Sequence, residues 1–112
     1  MDSLNAPGHG WPNRPTWALV CWLHAYRYSY LIDVSLACWK AGETAFDQSG
    51  RARRVMAAKL RRDVAATVGK IDSMNFDRPL PELLDRIDFE AIADHWLARF
   101  CGYRRREYRA VL

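Results

Sequence analysis

The sequence predicts a small all-α domain, three principal helices joined by shorter ones and packed around one core. Three observations lead there. Residues 16–39 are apolar on nearly every side, with only Arg27 and Asp33 formally charged. Residues 51–71 repeat apolar side chains at three- and four-residue intervals. A second apolar stripe begins after Asp88 and meets Gly102 at its end.

The elements follow in order. Residues 1–13 read as an irregular arm, because Pro7, Gly8, Gly10 and Pro12 interrupt any regular backbone. Trp11 is expected to fold back onto the domain. The first helix should begin near Thr16, whose hydroxyl suits the cap of a first turn. It should run to about Tyr26, bend or restart, and continue to about Lys40. Tyr26, Tyr28 and Tyr30 alternate with polar neighbours as a strand would, but no hairpin signal flanks them, so helix is preferred. Residues 41–50 form a connection. The central helix then spans 51–71, with Met56, Leu60, Val64, Val68 and Ile71 on one face and Arg51, Arg54, Arg61 and Arg62 on the other. Gly69 and Asp72 mark its end. Pro81 suits the first position of a short helix through Arg86. Asp88 caps the last helix, and Ile87 and Ile92 occupy the two positions of a hydrophobic staple. Phe89, Ile92, Ala93, Trp96 and Phe100 form its buried stripe, and Gly102 should stop it. Residues 14–102 are thus one helical domain, followed by an Arg-rich tail at 103–112.

Composition bounds the function. A chain of 112 residues is read as one domain, and buries about 65% of its unfolded surface. Five tryptophans are a heavy load, and most, Trp17 and Trp22 above all, are expected in the core. Of the 17 basic residues only Lys40, Lys59 and Lys70 are lysines, and the net charge is +4. Such a surface attracts nucleic acid or an acidic protein surface. Cys21, Cys38 and Cys101 are odd in number and far apart, which fits reduced, buried thiols rather than a disulfide framework. Residues 1–10 show neither the basic nor the apolar region of a signal peptide. The 16–39 stretch has the length of a membrane span, but His24, Arg27, Asp33 and three tyrosines oppose that reading. A cytoplasmic protein is expected.

No catalytic signature emerges, so no enzymatic activity, cofactor or metal is expected. Cys21 and His24 have a spacing that could ligate metal, but no second pair accompanies them, and a thiol beside a hydrogen-bonded histidine is the plainer reading. No glycine-rich turn accompanies a cysteine nucleophile. Asp85, Asp88, Glu90 and Asp94 read as helix-start charges rather than paired catalytic acids. The candidate working surface is therefore Arg51, Arg54, Arg61 and Arg62 on the central helix, with Arg104, Arg105 and Arg106 in the tail. Tyr103 and Tyr108 interleave that tail, as in surfaces that stack bases or anchor proteins. An ordinary solvated helix face is the alternative, and Asp63 near Lys59 and Glu107 in the tail agree with it.

The block Asn13-x-x-Thr16-Trp17-Ala18-x-Val20-x-Trp22-Leu23 resembles the start of a family of short uncharacterised phage and mobile-element proteins. These open Asn-x-x-Thr-Trp-x-Val-x-Leu-Trp-Leu, and their later Val-Asp-Trp-x-Glu-Ile-Ala is similar to Ile87-Asp88-Phe89-Glu90-Ala91-Ile92-Ala93. Cys21 replaces the usual Leu, His24-Ala25-Tyr26 replaces an acidic Asn-Asp-Glu, and the Arg tail is additional. The resemblance covers about residues 13–100 and implies origin rather than mechanism. Small stand-alone proteins of mobile elements often work by binding a host protein, so a protein that occupies a host surface, for instance a CRISPR or other defence complex, and inhibits it is expected. Nucleic acid bound through the Arg faces is the alternative partner.

Overall fold

The structure is a computed structural model that describes residues 10–67 and 79–102. Those residues form five helices: α1 (Arg14–Tyr26), α2 (Tyr28–Ala41), α3 (Gln48–Ala66), α4 (Leu80–Leu83) and α5 (Phe89–Cys101). The all-α class expected from the sequence is what they show, and no strand occurs among them.

The apolar stretch at the start is two helices that part at Arg27, where φ is −135° and ψ is 34°. Splitting lets both halves present apolar faces to one core. α1 buries Leu19, Val20, Trp22 and Leu23, and α2 buries Leu31, Val34 and Cys38. Arg27 stays outside, its guanidinium 5.7 Å from the centre of the Trp22 ring. α5 lies against both α2 and α3, and Ile92, Trp96 and Leu97 meet Leu19, Leu31, Met56 and Leu60 in the interior. Trp11 packs against this core from outside, its ring edge-on to His95 at 5.1 Å, so the end of the arm does fold back.

Thr16 is not the cap of α1. Asn13 is: its Oδ1 accepts from Thr16 N–H at 2.9 Å and from Thr16 Oγ1–H at 2.7 Å. Thr16 sits three residues inside and is fully buried. Its hydroxyl is turned across the fold, where it accepts from the backbone N–H of Asp88 at 2.9 Å. Asn13 Nδ2 donates to the Arg86 carbonyl at 2.7 Å. The starts of α1 and α5 are thereby tied to each other.

α3 begins earlier than its apolar period suggests, at Gln48 behind an Asp47 cap that accepts from Gly50 N–H. A Cβ at Gly50 would run into the Asp47 carboxylate, so a side chain there would displace this cap. The helix closes at Thr67, whose hydroxyl donates to the Asp63 carbonyl at 3.0 Å; Val68, Ile71 and the stop expected at Gly69 and Asp72 lie outside the described residues. α4 carries Pro81 in its first turn, as read, but ends at Leu83, and a turn through Arg86 follows. α5 matches expectation closely. Asp88 Oδ1 accepts from Ala91 N–H at 3.0 Å, Ile87 and Ile92 are both buried, and Gly102 closes the helix at φ 75°.

Burial expectations fail for tryptophan and cysteine: of the five tryptophans only Trp22 and Trp96 are buried, while Trp11, Trp17 and Trp39 are half-buried. Trp17 is only half-buried, with the Arg14 guanidinium 5.5 Å from its ring centre. Five residues separate it from Trp22, roughly 140° around the helix, and α1 is covered on the Trp22 side. Cys21 is exposed, because it lies on that uncovered side too, whereas Cys38 is buried and Cys101 half-buried.

The two tryptophans therefore separate in a stability measurement. Trp22→Ala should cost about 3–5 kcal/mol, the usual loss for a deleted core aromatic, while Trp17→Ala should cost about 1 kcal/mol. Urea denaturation of both variants checks this. Equal losses would contradict the burial difference.

Candidate functional site

The outward face of α3 is the exposed basic surface of the described fold. Arg51, Val55, Ala58 and Arg62 follow one another at intervals of four, three and four residues, so they form a single row. All four are exposed, as is Arg54 beside them. Neither Arg51 nor Arg54 joins any of the ion pairs found among the described residues. The row has an apolar middle and guanidinium ends.

Phe46 extends this surface. It precedes the Asp47 cap and is exposed throughout its side chain. The equivalent residue before α5, Ile87, is buried because its staple partner Ile92 is apolar. At α3 the partner position holds Arg51, so Phe46 has nothing to cover it. The charge pattern drew the sequence reading to the arginines. The failed staple was legible beside them as Phe46 followed five residues later by an arginine.

Arg61 behaves differently from its neighbours. Its Nη2 donates to Asp85 Oδ1 at 2.6 Å and its Nη1 to the Leu84 carbonyl at 2.9 Å. It tethers α3 to the turn before α5, so it belongs to the fold rather than to a free face. Arg104, Arg105 and Arg106, expected to share the site, lie outside the described residues.

Arg53 was not among the candidates, yet it is the most unusual of the arginines. It is only 7% exposed and lies on the inward side of α3 with Met56 and Leu60. Its Nε donates to Glu90 Oε1 at 3.3 Å, and its Nη1 lies 4.0 Å from Asp94 Oδ1, beyond hydrogen-bonding distance. Nη1 is buried with no hydrogen-bond partner. Arg53 lines a groove of about 700 Å³ between α3 and the start of α5, over the small side chains Ala57, Ala58 and Ala91. Glu90 and Asp94, read as helix-start charges, are one turn apart on α5 and both turn toward this guanidinium.

Among the described residues, the three cysteines are not prepared as nucleophiles. Burial pushes the thiols of Cys38 and Cys101 up, and that of Cys21 as well, although it reaches the surface. Protonated thiols are poor nucleophiles. His24 is set as a ring plate, stacked on Trp96 at 5.9 Å and 17° and edge-on to Tyr28. No group of three or more potential metal ligands gathers among the described residues. No helix there is long and apolar enough to cross a membrane.

The perturbed pair on the opposite side of α3 is Tyr30 with Asp63. Tyr30 Oη–H donates to Asp63 Oδ2 at 2.7 Å, and Lys59 Nζ approaches the same oxygen at 3.2 Å. Burial, then the Asp63 carboxylate, raise the tyrosine pKa far above its ordinary value. At Asp63 burial works upward, but the Tyr30 hydrogen bond and Lys59 outweigh it and hold the carboxyl below its usual range. These shifts describe a brace between α2 and α3.

Comparisons of the chain with models of protein families, with curated proteins and with solved structures return no match.

The brace has a pH signature. A tyrosine pKa raised by folding gives stability that is whole below about pH 10 and is lost as pH rises through the folded value. A depressed carboxyl gives stability present above about pH 4 and lost as pH falls through its folded value. Tyr30→Phe should therefore cost about 1 kcal/mol at pH 7, with the difference from wild type shrinking above pH 10 and in acid. Urea titrations at pH 3, 7 and 10.5 would measure it. A constant difference across that range would contradict the brace.

Proposed function

We propose that this chain is a small binding protein of a phage or plasmid that occupies the surface of a host protein. The target class proposed is a defence system, with the chain acting as an inhibitor of the anti-CRISPR type. The observation that carries the binding surface is the row Arg51, Val55, Ala58 and Arg62 with Phe46 at its head. Exposed aromatic and arginine side chains on a rigid helix are the groups that dominate protein interfaces. A helix already folded loses little entropy when it docks. An apolar centre between the guanidiniums favours an acidic protein surface over phosphates alone, which would gain nothing from Val55 or Phe46. The viral or plasmid origin draws on the resemblance of residues 13–23 and 87–93 to phage and mobile-element proteins.

The test is phage challenge of cells that carry an active CRISPR system and express the chain. Plaques should be restored by the wild type and lost with Phe46→Ala combined with Arg51→Glu and Arg62→Glu. Charge reversal at an acidic contact removes several kcal/mol of binding, while exposed charges contribute little to stability, so the melting temperature should hold. Arg61 is left intact because the fold uses it. No restoration by the wild type in any system tried would remove the defence target. Duplex DNA binding that falls linearly with salt on logarithmic axes would replace the protein partner with nucleic acid.

A further inference from the structure

Beneath the surface of the α3–α5 groove lies a donor that the fold leaves unused. Arg53 is more than nine-tenths buried, and its Nη1 has no hydrogen-bond partner. A buried N–H without an acceptor is rare in folded proteins and marks either a bound water or a ligand position. The groove it lines, about 700 Å³, falls within the range of ligand clefts. A single water fills only a small part of that space.

The surrounding charges select the acceptor. Around Nη1, one guanidinium already faces two carboxylates, Glu90 and Asp94. A third carboxylate would meet more repulsion than attraction. A cation would meet the guanidinium and bring no acceptor. Over the whole lining, Arg53, Arg54 and Arg61 balance Asp88, Glu90 and Asp94, so no net field draws a charged ligand. A neutral carbonyl satisfies Nη1 without disturbing that balance. Glu90 gives it a way in: its side chain is 55% exposed and holds Arg53 through one 3.3 Å contact to Nε, so a rotation about its own bonds frees that edge of the guanidinium. Ala57, Ala58 and Ala91 leave room for a backbone to lie close.

We propose that this groove binds an extended peptide segment of the protein partner and places one of its amide carbonyls on Arg53 Nη1. The proposal rests on the reading that the partner is a protein; the groove adjoins the outward row of α3, sharing Ala58 with it, but does not include Phe46, Arg51, Val55 or Arg62.

A library of random twelve-residue peptides displayed on phage, panned on the immobilised full chain, supplies the probe. An enriched peptide is then synthesised and its affinity measured against variants. Ala91→Trp fills the groove from the α5 side without touching Arg53, and should weaken binding at least tenfold. Arg53→Lys keeps the charge but removes the planar donor, and should weaken it comparably; where that variant misfolds, Ala91→Trp decides. Phe46→Ala with Arg51→Glu should leave the peptide within twofold of wild type. No enrichment, or a peptide indifferent to Ala91→Trp, would overturn the proposal. So would a peptide whose binding requires an Asp or Glu that Asn or Gln cannot replace, since the acceptor would then be anionic. Loss of the groove result with plaque restoration still sensitive to Phe46 and Arg51 would leave the outer face standing alone.

Discussion

The fold depends on one partly buried hydrogen-bond junction between segments that are 72 residues apart in the chain. Asn13 accepts twice from Thr16 and donates to the Arg86 carbonyl, Thr16 accepts from Asp88 N–H, and Asp88 accepts from Ala91 N–H. The side chains of Asn13 and Thr16 each serve two partners, and Asp88 joins the relay through its backbone N–H while its carboxylate caps α5. A helix start normally leaves free N–H groups to solvent or to a local cap. Here the caps of α1 and α5 are joined through Thr16, so the entry directions of both helices are set together. The junction residue Asp88 and those just past it form one wall of the groove beside α3.

The two segments that meet in the junction are Asn13-x-x-Thr16 and Ile87-Asp88. Asn-x-x-Thr and Ile-Asp are therefore explained by folding: an acceptor three residues before a buried hydroxyl, and a backbone amide waiting for that hydroxyl. Asp88 needs no chemical role to account for its place in such a motif.

Local signals were legible where one residue acts on its own turn. The Asp88 cap, the Ile87–Ile92 staple, the Gly102 stop and the interruption near Tyr26 could all be read from neighbours within five positions. What could not be read required knowing which helix lies opposite. Thr16 has the hydroxyl of a cap, but that hydroxyl accepts from an amide 72 residues along the chain, which its neighbours in sequence do not reveal. Arg53 was passed over although it shares the face of Met56 and Leu60, where a charged residue is out of place unless paired. The signal was present in Glu90 and Asp94, four apart on a later helix, but their meeting with Arg53 is a tertiary fact. Arg61 likewise counted as free charge until the turn at Leu84 and Asp85 was seen beneath it. Trp17 failed for the converse reason: an apolar neighbourhood in sequence does not say which side of α1 is covered.

The most direct measurement of the junction is amide hydrogen exchange at Asp88. This residue is exposed and precedes its helix, so by position alone its N–H should exchange quickly. If Thr16 Oγ1 holds it as described, the Asp88 amide should exchange only through global unfolding, at the rate of core amides in α5. Thr16→Val should then release that amide by orders of magnitude beyond the accompanying loss of stability. Fast exchange at Asp88 in the wild-type protein, with the α5 core still protected, would contradict the account.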